Sequence, residues 1–248
     1  MSVELEGRVA LVTGASRGIG AAIAQRLSEA GADVAVVYGH DEEAANGVVA
    51  GIERGGRRAI AVGGDLRDPE ALEETCRVAE GSLGPVDVSV SNAGIAPVQS
   101  LEEISDSDWD RVMEVNLRPA FLLARRLAPG MRGRGWGRIV FVSSVAAFTG
   151  GIVGPHYTAS KAALIGLAHS LAGSLAPHGV TVNAVAPALI EGGATLPGGG
   201  EEHAELAQNV PVGRLGTPQE VAQTVHAIVS NPFITAQTVS VDGGMYPR

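Results

Sequence analysis

The amino-acid sequence predicts an α/β protein, in which a doubly wound sheet of about seven parallel strands carries helices on both faces. Two observations indicate this fold class. Short runs of β-branched residues alternate with segments of helical periodicity, and a glycine-rich turn directly follows the first run. Alternating strands and helices form right-handed βαβ units. A closed eight-fold barrel is the competing architecture, but the glycine-rich turn favours an open sheet, which binds ligands at the carboxyl ends of its strands.

Apolar spacing and capping residues define the elements of the first half. Ile19, Ile23 and Leu27 recur every four residues and predict a helix after the first strand. Asp68 and Pro69 are typical of the N-cap and first position of another helix. In order, we predict a strand at 9–12, the first helix, a strand at 34–37, a helix at about 42–54, a strand at 59–62, the Asp68 helix to about residue 82, and a strand at 86–90.

The second half continues the alternation. Thr217, Pro218 and Glu220 form a capping box that opens the last helix. In order, we predict a helix at about 106–131, a strand at 139–142, a helix at about 157–176, a strand at 180–185, the Thr217 helix and a strand at 238–241. We expect one domain, residues 1–248, with a glycine-rich, mobile substrate loop around 188–207 that acts as a lid.

Composition and charge exclude several classes of function. The net charge of −9 disfavours nucleic acid and anionic membranes as partners. No apolar run reaches the ~18 residues of a membrane span, and no signal peptide opens the chain, so we expect a cytoplasmic protein. The single cysteine, Cys76, precludes an internal disulfide and is expected to pack in the core. The histidines show no metal-ligand spacing, so no catalytic metal is predicted.

Arginines cluster in one part of this acidic chain. They are Arg125, Arg126, Arg132, Arg134 and Arg138. A solvated helix end is the simpler interpretation of this cluster. Contact with an anionic carrier or a phosphate is the alternative.

The glycine-rich turn at 13–20 reads Thr-Gly-Ala-Ser-Arg-Gly-Ile-Gly and lies between the first strand and the first helix. Gly14 permits the tight turn, Gly18 lets the backbone approach a pyrophosphate, and Gly20 lets the helix pack against the strand. The helix N-terminus then offers free N–H groups and partial positive charge to phosphates. The turn therefore predicts a dinucleotide-binding Rossmann sheet. We expect cofactor contacts from Gly14, Ser16, Arg17, Gly18, Ile19 and Gly20.

Tyr157 and Lys161 lie one helical turn apart on the same face. Reduction of a carbonyl needs a proton donor, and a tyrosine can serve although its ordinary pKa is about 10. The charge of Lys161, with that of an oxidised nicotinamide, is expected to move this pKa toward about 7, which takes roughly 4 kcal/mol. A surface Tyr/Lys pair is the alternative. It is disfavoured by the serines at the end of the fifth strand, although position alone does not separate Ser143 from Ser144.

These motifs resemble those of the short-chain dehydrogenase/reductase family over essentially the whole chain. The resemblance rests on the glycine spacing, on Asn92-Ala93-Gly94 after the fourth strand, and on Asn116, Ser144 and Tyr157-x-x-x-Lys161. Two late stretches, Val-Pro-Val-Gly-Arg-Leu-Gly at 210–216 and Val-Asp-Gly-Gly-Met-Tyr at 241–246, are similar to those of its 3-oxoacyl-acyl-carrier-protein reductases.

The resemblance implies a catalytic set of Asn116, Ser144, Tyr157 and Lys161. Ser144 would orient the carbonyl, and Asn116 would hold a water that relays protons toward Lys161. Lys161 would also bind the nicotinamide ribose. Asp65 would face the adenine, with turn capping as its alternative. Further cofactor contacts are expected from Tyr38, Asp65, Leu66, Asn92, Ala93, Gly94, Tyr157, Lys161, Pro187 and Ile190.

The chain departs from the family pattern after the sixth strand. Ala188 stands where a glycine is usual, and Gly192 stands where a threonine usually touches the nicotinamide. Thr195 is a possible substitute. Ser91 is a milder departure, since the family usually has asparagine there.

The end of the second strand bears on the choice of cofactor. A carboxylate there would bind the ribose 2′-hydroxyl of NAD, but the corresponding residue is the uncharged Tyr38. Arg17 could reach a 2′-phosphate and His40 could assist, so the sequence favours NADPH over NADH. Acidic residues at 41–43 follow closely, and a shift of a few positions would reverse this preference.

Three functions are compatible with these features. The first is an NADPH-dependent reductase of 3-oxoacyl thioesters or polyketide-like ketones, in fatty acid or polyketide metabolism. The second is a secondary alcohol dehydrogenase for a sugar or steroid, and the third is a dinucleotide-binding protein without turnover. The resemblance also implies a homotetramer. We expect an apolar substrate wall from Ala146, Phe148, Ile152 and Val153, with His156 at the pocket rim.

Overall fold

The computed structural model describes residues 5–193, 196 and 201–246. Within these residues, seven strands form one sheet in the order β3-β2-β1-β4-β5-β6-β7, and every pairing is parallel. The strands are β1 Val9–Thr13, β2 Asp33–Tyr38, β3 Ala59–Gly63, β4 Val88–Ser91, β5 Gly137–Val142, β6 Val180–Pro187 and β7 Thr238–Val241. The predicted doubly wound sheet is confirmed. A barrel is excluded because β3 and β7 lie at opposite edges.

Helices cover both faces of this sheet. They are α1 Gly18–Glu29, α2 Glu42–Arg54, α3 Pro69–Leu83, α4 Asp106–Asn116, α5 Arg118–Arg134, α6 Ala146–Thr149, α7 Pro155–Leu175, α8 Glu201–Gln208 and α9 Pro218–Ser230. The core residues of α1, α2 and α9 pack on one face, and those of α3, α5 and α7 pack on the other. None of the described helices is long and apolar enough to span a membrane.

Strand β1 lies at the centre of the sheet and is buried on both faces. Ala10 and Val12 belong to the core under α1 and α9, whereas Val9 and Leu11 belong to the core under α3 and α5. Because successive side chains point to opposite faces, a strand covered on both sides must be apolar at every position. The continuous run Val-Ala-Leu-Val meets this requirement.

The single helix predicted at about 106–131 is wrong. Two helices, α4 and α5, meet at Leu117, whose φ of −113° and ψ of −52° depart from regular helix. Pro119 has no N–H to donate to the carbonyl four residues earlier, so α4 cannot continue through it. A proline is tolerated in the first turn of a new helix, where α5 has it. The break leaves Asn116 as the last residue of α4.

Smaller differences concern element ends. The fourth strand begins at Val88 and not at residue 86, and α7 begins two residues before Tyr157. Helix α8 lies partly in the loop predicted at 188–207. Residues 194, 195 and 197–200 of that loop lie outside the described residues. The N-caps predicted at Asp68 and Thr217 are confirmed, the latter with its complete capping box.

Cys76 packs in the core as predicted, because its side chain is fully buried under α3. Burial raises the pKa of its thiol to about 11. A thiol that resists ionisation is a poor nucleophile at neutral pH, so the packing role is the one that the structure supports.

Candidate active site

The predicted catalytic side chains meet at the carboxyl ends of β4 and β5. Ser144 follows β5, Tyr157 and Lys161 lie in the first two turns of α7, and Asn116 ends α4. All four residues are buried. Because the strands are parallel, their carboxyl ends share one edge of the sheet, which is where ligands bind in open α/β folds.

The Tyr157 phenol is buried and hydrogen-bonded to the Ser144 side chain. Burial raises the pKa of Tyr157 above its ordinary value, because a phenolate is poorly solvated there, and the bond to Ser144 offsets this only in part. In the protein by itself this pKa is therefore raised, and the predicted lowering toward neutrality, which includes the charge of an oxidised nicotinamide, stays a prediction. A phenol that stays protonated is nevertheless what a proton donor requires.

The Lys161 ammonium is directed at the strand and not at the phenol oxygen. Its Nζ atom donates to the carbonyl oxygen of Val142 at 2.9 Å and lies 5.8 Å from the centroid of the Tyr157 ring. Burial lowers the pKa of Lys161 to about 8, because the charged form loses its water. In the protein alone the pKa of Tyr157 responds to burial and to Ser144, and not to this ammonium.

Lys161 is the only lysine in the chain, and arginine is used at every other position that carries a permanent positive charge. A lysine is readily deprotonated when buried, whereas an arginine keeps its charge. The sequence therefore held a signal for this site beyond the Tyr-x-x-x-Lys spacing, because a lone lysine marks a position that arginine does not fill.

The structure separates the two serines that follow β5. The Ser143 hydroxyl donates to the carbonyl oxygen of Lys161 at 2.7 Å, so it is occupied in holding α7 against the strand. The Ser144 hydroxyl accepts from the Ala146 N–H at 3.1 Å and contacts Tyr157. Ser144 is thus the serine placed beside the phenol.

Asn116 fixes the loop that follows β4. Its Oδ1 accepts from the Ile95 N–H at 2.8 Å, and its Nδ2 donates to the Ile95 carbonyl at 3.0 Å and to Ser160 Oγ at 3.1 Å. A Cβ on Gly94 would lie 3.2 Å from Asn116 Oδ1 and 3.4 Å from Lys161 Nζ. Asn116 and Lys161 therefore border the same small space, which the bare backbone of Gly94 leaves open.

The glycine-rich turn has the geometry of a phosphate cradle. Gly14 and Gly18 adopt φ values of +62° and +56°, which side chains disfavour. A Cβ on Gly20 would lie 2.2 Å from the Gly14 carbonyl oxygen, so only glycine lets α1 approach β1 this closely. The N-terminus of α1 has neither a side-chain cap nor an acidic residue in its first turn. Its free N–H groups fit a dinucleotide pyrophosphate.

Thr13 ties this turn to β4, a role that the sequence reasoning missed. Its hydroxyl accepts from the N–H groups of Asn92 and Ala93, each at 3.0 Å. The Asn92 amide in turn donates to the carbonyl oxygens of Thr13 and Gly14 at 3.0 and 3.1 Å. The predicted cofactor segments around residues 14 and 92 are thus joined by four hydrogen bonds.

Tyr38 and Asp65 lie at the ends of β2 and β3, where the adenosine half of a dinucleotide is expected. Asp65 forms an ion pair with Arg67 at 2.5 Å and accepts from the Arg67 N–H at 3.1 Å. Its pKa is lowered first by the Arg67 side chain. Asp65 therefore caps the turn, as its alternative interpretation predicts. Arg67 is a positively charged residue of this region that was not predicted. Leu66 is buried beside this pair, and Arg17 is exposed across the turn.

The segment after β6 approaches the glycine-rich turn. A Cβ on Gly18 would lie 3.1 Å from the carbonyl oxygen of Gly192. Ile190 is buried and forms a parallel bridge with Gly216, and Pro187 ends β6. Thr195, the possible substitute for the usual threonine, lies outside the described residues. The cofactor contacts of Pro187 and Ile190 stay predictions.

Two residues of the expected apolar wall lie beside Tyr157, and their contact with substrate stays a prediction. Ala146 and Val153 pack with Tyr157, together with Ala96 from the loop after β4. Ile152, in contrast, is 67% exposed. The prediction that His156 lies at the pocket rim is wrong, because its side chain is fully buried in the first turn of α7.

The arginine cluster is not a free basic patch. Arg126 pairs with Glu73 and Glu80, and Arg134 pairs with Asp87. Arg138 is buried and donates to the carbonyl oxygens of Val229, Gly137 and Gly179. Most of these guanidinium groups thus hold the fold together. In the described part of the chain, no group of three or more His, Cys, Asp or Glu side chains is placed to hold a metal ion.

Comparison with known proteins matches this geometry. A family model described as short chain dehydrogenase matches residues 8–197. The chain is 38% identical over 249 residues to the 3-oxoacyl-acyl-carrier-protein reductase FabG of Aquifex aeolicus, covering 99% of this chain and 100% of that protein. It is 39% identical over 247 residues to the L-rhamnose 1-dehydrogenase (NAD(P)(+)) of a Sphingomonas species, covering 98% and 97%. A blue fluorescent protein from a metagenomic library, solved in complex with NADPH, has a TM-score of 0.90 at 35% identity, covering 98% and 100%.

Proposed function

The chain belongs to the short-chain dehydrogenase family of NAD(P)-dependent oxidoreductases, which act on CH–OH or C=O groups, and on that premise we propose that it is an NADPH-dependent carbonyl reductase of 3-oxoacyl thioesters or similar ketones. The observation that carries the proposal is the buried contact of Ser144 with Tyr157, one helical turn from Lys161. A protein that only bound a dinucleotide would have no need of this buried cluster. Similarity to FabG along the whole chain supports the substrate class.

The side chains of this cluster have separate tasks in the reduction. A bound nicotinamide would supply the hydride. The Ser144 hydroxyl donates a hydrogen bond to the substrate carbonyl oxygen and orients it. The Tyr157 O–H transfers its proton to that oxygen as negative charge develops there. Burial keeps the phenol protonated until this moment and excludes water that would compete for the proton.

Lys161 and Asn116 restore the proton donor. The Lys161 ammonium stabilises the phenolate that Tyr157 becomes, because an opposite charge nearby favours the ionised form. The space beside Gly94, bordered by Asn116 Oδ1 and Lys161 Nζ, suits a water that carries protons to Lys161. Lys161 is held in place for this by its bond to the Val142 carbonyl.

The preference for NADPH rests on charges at the ends of β1 and β2. Tyr38 itself offers no carboxylate to a ribose 2′-hydroxyl, although its phenol is hydrogen-bonded to Glu42, and Arg17 is exposed on the glycine-rich turn. Arg67 adds positive charge beyond β3, although Asp65 pairs with it. A similar structure contains NADPH. These observations together favour a 2′-phosphorylated cofactor.

Oxidation of a sugar is the second candidate function. It is favoured by the L-rhamnose 1-dehydrogenase, which is as similar in sequence as the reductases. The same residues would then act in reverse: the ionised Tyr157 would accept the proton of an alcohol oriented by Ser144, Lys161 would stabilise the phenolate, and an oxidised nicotinamide would take the hydride. The two functions differ in substrate and direction and not in catalytic residues.

We further propose a homotetramer that uses the long helices α4 and α5. Trp109 on α4 is 40% exposed and Phe121 on α5 is 43% exposed, which leaves aromatic surface for a second copy. Light scattering in solution tests this, and a monomeric mass would contradict it.

Replacement of Tyr157 by Phe tests the proposed function. We expect NADPH oxidation with a short 3-oxoacyl thioester to fall at least ~10²-fold, because the proton donor is lost. Binding of NADPH, followed by fluorescence, should be retained. Unchanged turnover would refute the catalytic assignment. Assays with 3-oxoacyl thioesters, with L-rhamnose, and with NADPH against NADH separate the two candidate functions.

A further inference from the structure

His156 is a fully buried polar residue that the proposed chemistry does not use. It lies in the first turn of α7, directly before Tyr157. Its Nε2 atom lies 3.0 Å from Oε1 of Gln99, which belongs to the loop between β4 and α4. One hydrogen bond therefore connects the helix that carries the phenol to the loop that lies beside it.

The partners of Gln99 determine the direction of this bond. The Gln99 side chain is also hydrogen-bonded to Asp108, whose ionised carboxylate only accepts hydrogen bonds. The amide nitrogen of Gln99 must then face Asp108, and its oxygen must face His156. The Nε2–H of His156 is thus the donor. Asp108 is itself fixed, since its Oδ2 accepts from the Ser105 hydroxyl at 2.6 Å and from the Ser105 N–H at 3.1 Å.

The backbone reinforces the same contact. The Gln99 N–H donates to the carbonyl oxygen of Val153 at 3.0 Å. Gly154, which precedes α7, leaves no room for a side chain, because a Cβ there would lie 2.6 Å from the Gln99 carbonyl oxygen and 3.0 Å from His156 Cε1. The loop after β4 is therefore held against the start of α7 by main-chain and side-chain contacts.

A purely packing role does not account for His156. Its Nδ1 atom is buried and has no hydrogen-bond partner among the described residues. A buried nitrogen without a partner lowers the stability of the fold, because it has lost its hydrogen bonds to water, and an apolar side chain of similar size would avoid this loss. A histidine here is consistent with a need for the Nε2–H donor, and Gln99 receives that bond.

This contact shapes the space beside Tyr157. Ala96, three residues before Gln99, packs with Val153 and Tyr157. Val98 and Ile152, which flank the backbone bond on its two sides, are 72% and 67% exposed. Ala96 and Val153 thus place apolar side chains from the loop and from the segment before α7 beside the phenol, and the His156–Gln99 bond connects this loop to α7.

We propose that His156 and Gln99 are positioning residues that fix the apolar wall beside Tyr157 for the organic part of the carbonyl substrate. The inference rests on the proposed function, since it assigns the substrate side of the same site. Within the described part of the chain, neither side chain is hydrogen-bonded to the glycine-rich turn or to the segment at 92–94. Loss of the bond therefore acts on the substrate and leaves cofactor binding as it was.

Two replacements of His156 test the proposal. In His156→Leu the donor is lost at similar volume, and in His156→Gln an amide nitrogen can take the place of Nε2. We expect KM for a short 3-oxoacyl thioester to rise about tenfold in His156→Leu, the equivalent of one hydrogen bond. His156→Gln should restore it to within about threefold. The KM for NADPH should stay unchanged in both variants.

Gln99→Leu removes the same bond from the half-buried loop and serves if a replacement of the core histidine fails to fold. It should raise KM for the thioester as His156→Leu does, and the double variant should be no worse than either single one. The proposal is overturned if Gln99→Leu leaves KM for the thioester at its wild-type value, if His156→Gln is as impaired as a folded His156→Leu, or if NADPH binding weakens equally. Loss of turnover in Tyr157→Phe with normal KM in these variants would leave the proposed function intact and refute only this inference.

Discussion

The Nζ atom of Lys161 lies 2.9 Å from the carbonyl oxygen of Val142, the last residue of β5. The strand end thus sets the position of the ammonium, and among the described residues no carboxylate lies within ion-pair distance of it. A buried cation without a counter-charge is costly, and it stores free energy that a phenolate or an anionic ligand could recover.

Lys161→Met should reveal this cost as a pH-dependent stability difference. Below about pH 8 the lysine is protonated in the folded and unfolded chains alike, so the burial cost is fully present. Between about pH 8 and 10.5, the ordinary pKa, the unfolded chain binds more protons than the folded one, and the contribution of Lys161 to stability rises with pH. The advantage of Lys161→Met over wild type in unfolding free energy should shrink by about 3 kcal/mol across this window.

Urea denaturation of both proteins without cofactor, from pH 7 to about 10.5, measures this difference. Subtracting one unfolding free energy from the other removes the contributions of titrating groups that the two proteins share. One such group is Cys76, whose raised pKa makes stability fall as the pH rises. A constant difference across the window would show that Lys161 is not buried as a cation.

Ser144→Ala and Ser143→Ala should affect different properties. Ser144 contacts the phenol, so its loss should lower kcat about 10²-fold while stability changes little. Ser143 holds the Lys161 carbonyl at 2.7 Å, so its loss should lower the unfolding free energy by about 1 kcal/mol and leave kcat within a few-fold of wild type. Steady-state kinetics with urea denaturation distinguishes them, and the reverse pattern would exchange the two roles.

Gly20→Ala should damage the cofactor site, because its Cβ would lie 2.2 Å from the Gly14 carbonyl oxygen. The turn must shift, at a cost typically of about 1–3 kcal/mol, and we expect weaker NADPH binding and a lower Tm. Gly47→Ala is the matched control in exposed helix α2, where a Cβ meets nothing within 4 Å. It should raise stability by about 0.5–1 kcal/mol with unchanged NADPH binding. A thermal melt and a fluorescence titration decide the outcome for each variant.

Tyr38→Asp should shift the cofactor preference toward NADH. A carboxylate at the end of β2 repels a 2′-phosphate and accepts from a 2′-hydroxyl. Arg17→Ala should raise KM for NADPH about tenfold and leave KM for NADH unchanged. The ratio of kcat/KM for the two cofactors is the measurement. If Arg17→Ala affects both cofactors equally, then Arg17 serves the shared pyrophosphate.

The sheet was predictable from sequence because the strands are short runs rich in β-branched residues that alternate with helical segments, and because the turn at 13–20 marks the first crossover. Asn116 shows where prediction ended. The apolar spacing of 106–131 predicts one helix. In the structure Pro119 cannot donate the hydrogen bond that would continue α4, so a second helix begins there. The contacts of Asn116 with Ile95 then fix the end of α4. The catalytic spacing was equally readable.

The protonation of the site was not predictable in the same way. The effect of Lys161 on the pKa of Tyr157 depends on the direction of its ammonium group. That direction is set by the hydrogen bond to the Val142 carbonyl, which the spacing of residues in the sequence does not indicate. Burial of His156 likewise depends on the course of the loop after β4. The catalytic residues were identified from their motifs, whereas the burial of His156 and the contacts of Thr13 involve the segment after β4 and were missed.

The lone lysine gives the folded protein an unusual chemical reactivity. Reagents that acylate side-chain amines have a single target in this chain, and that target lies inside the site, 5% exposed. Acylation of this amine requires either a reagent small enough to enter the site or an opening of the fold around it, so a bound cofactor should slow modification by an activated ester. A solid support cannot enter the site. Coupling to a support through side-chain amines would accordingly capture only molecules whose catalytic centre has come apart.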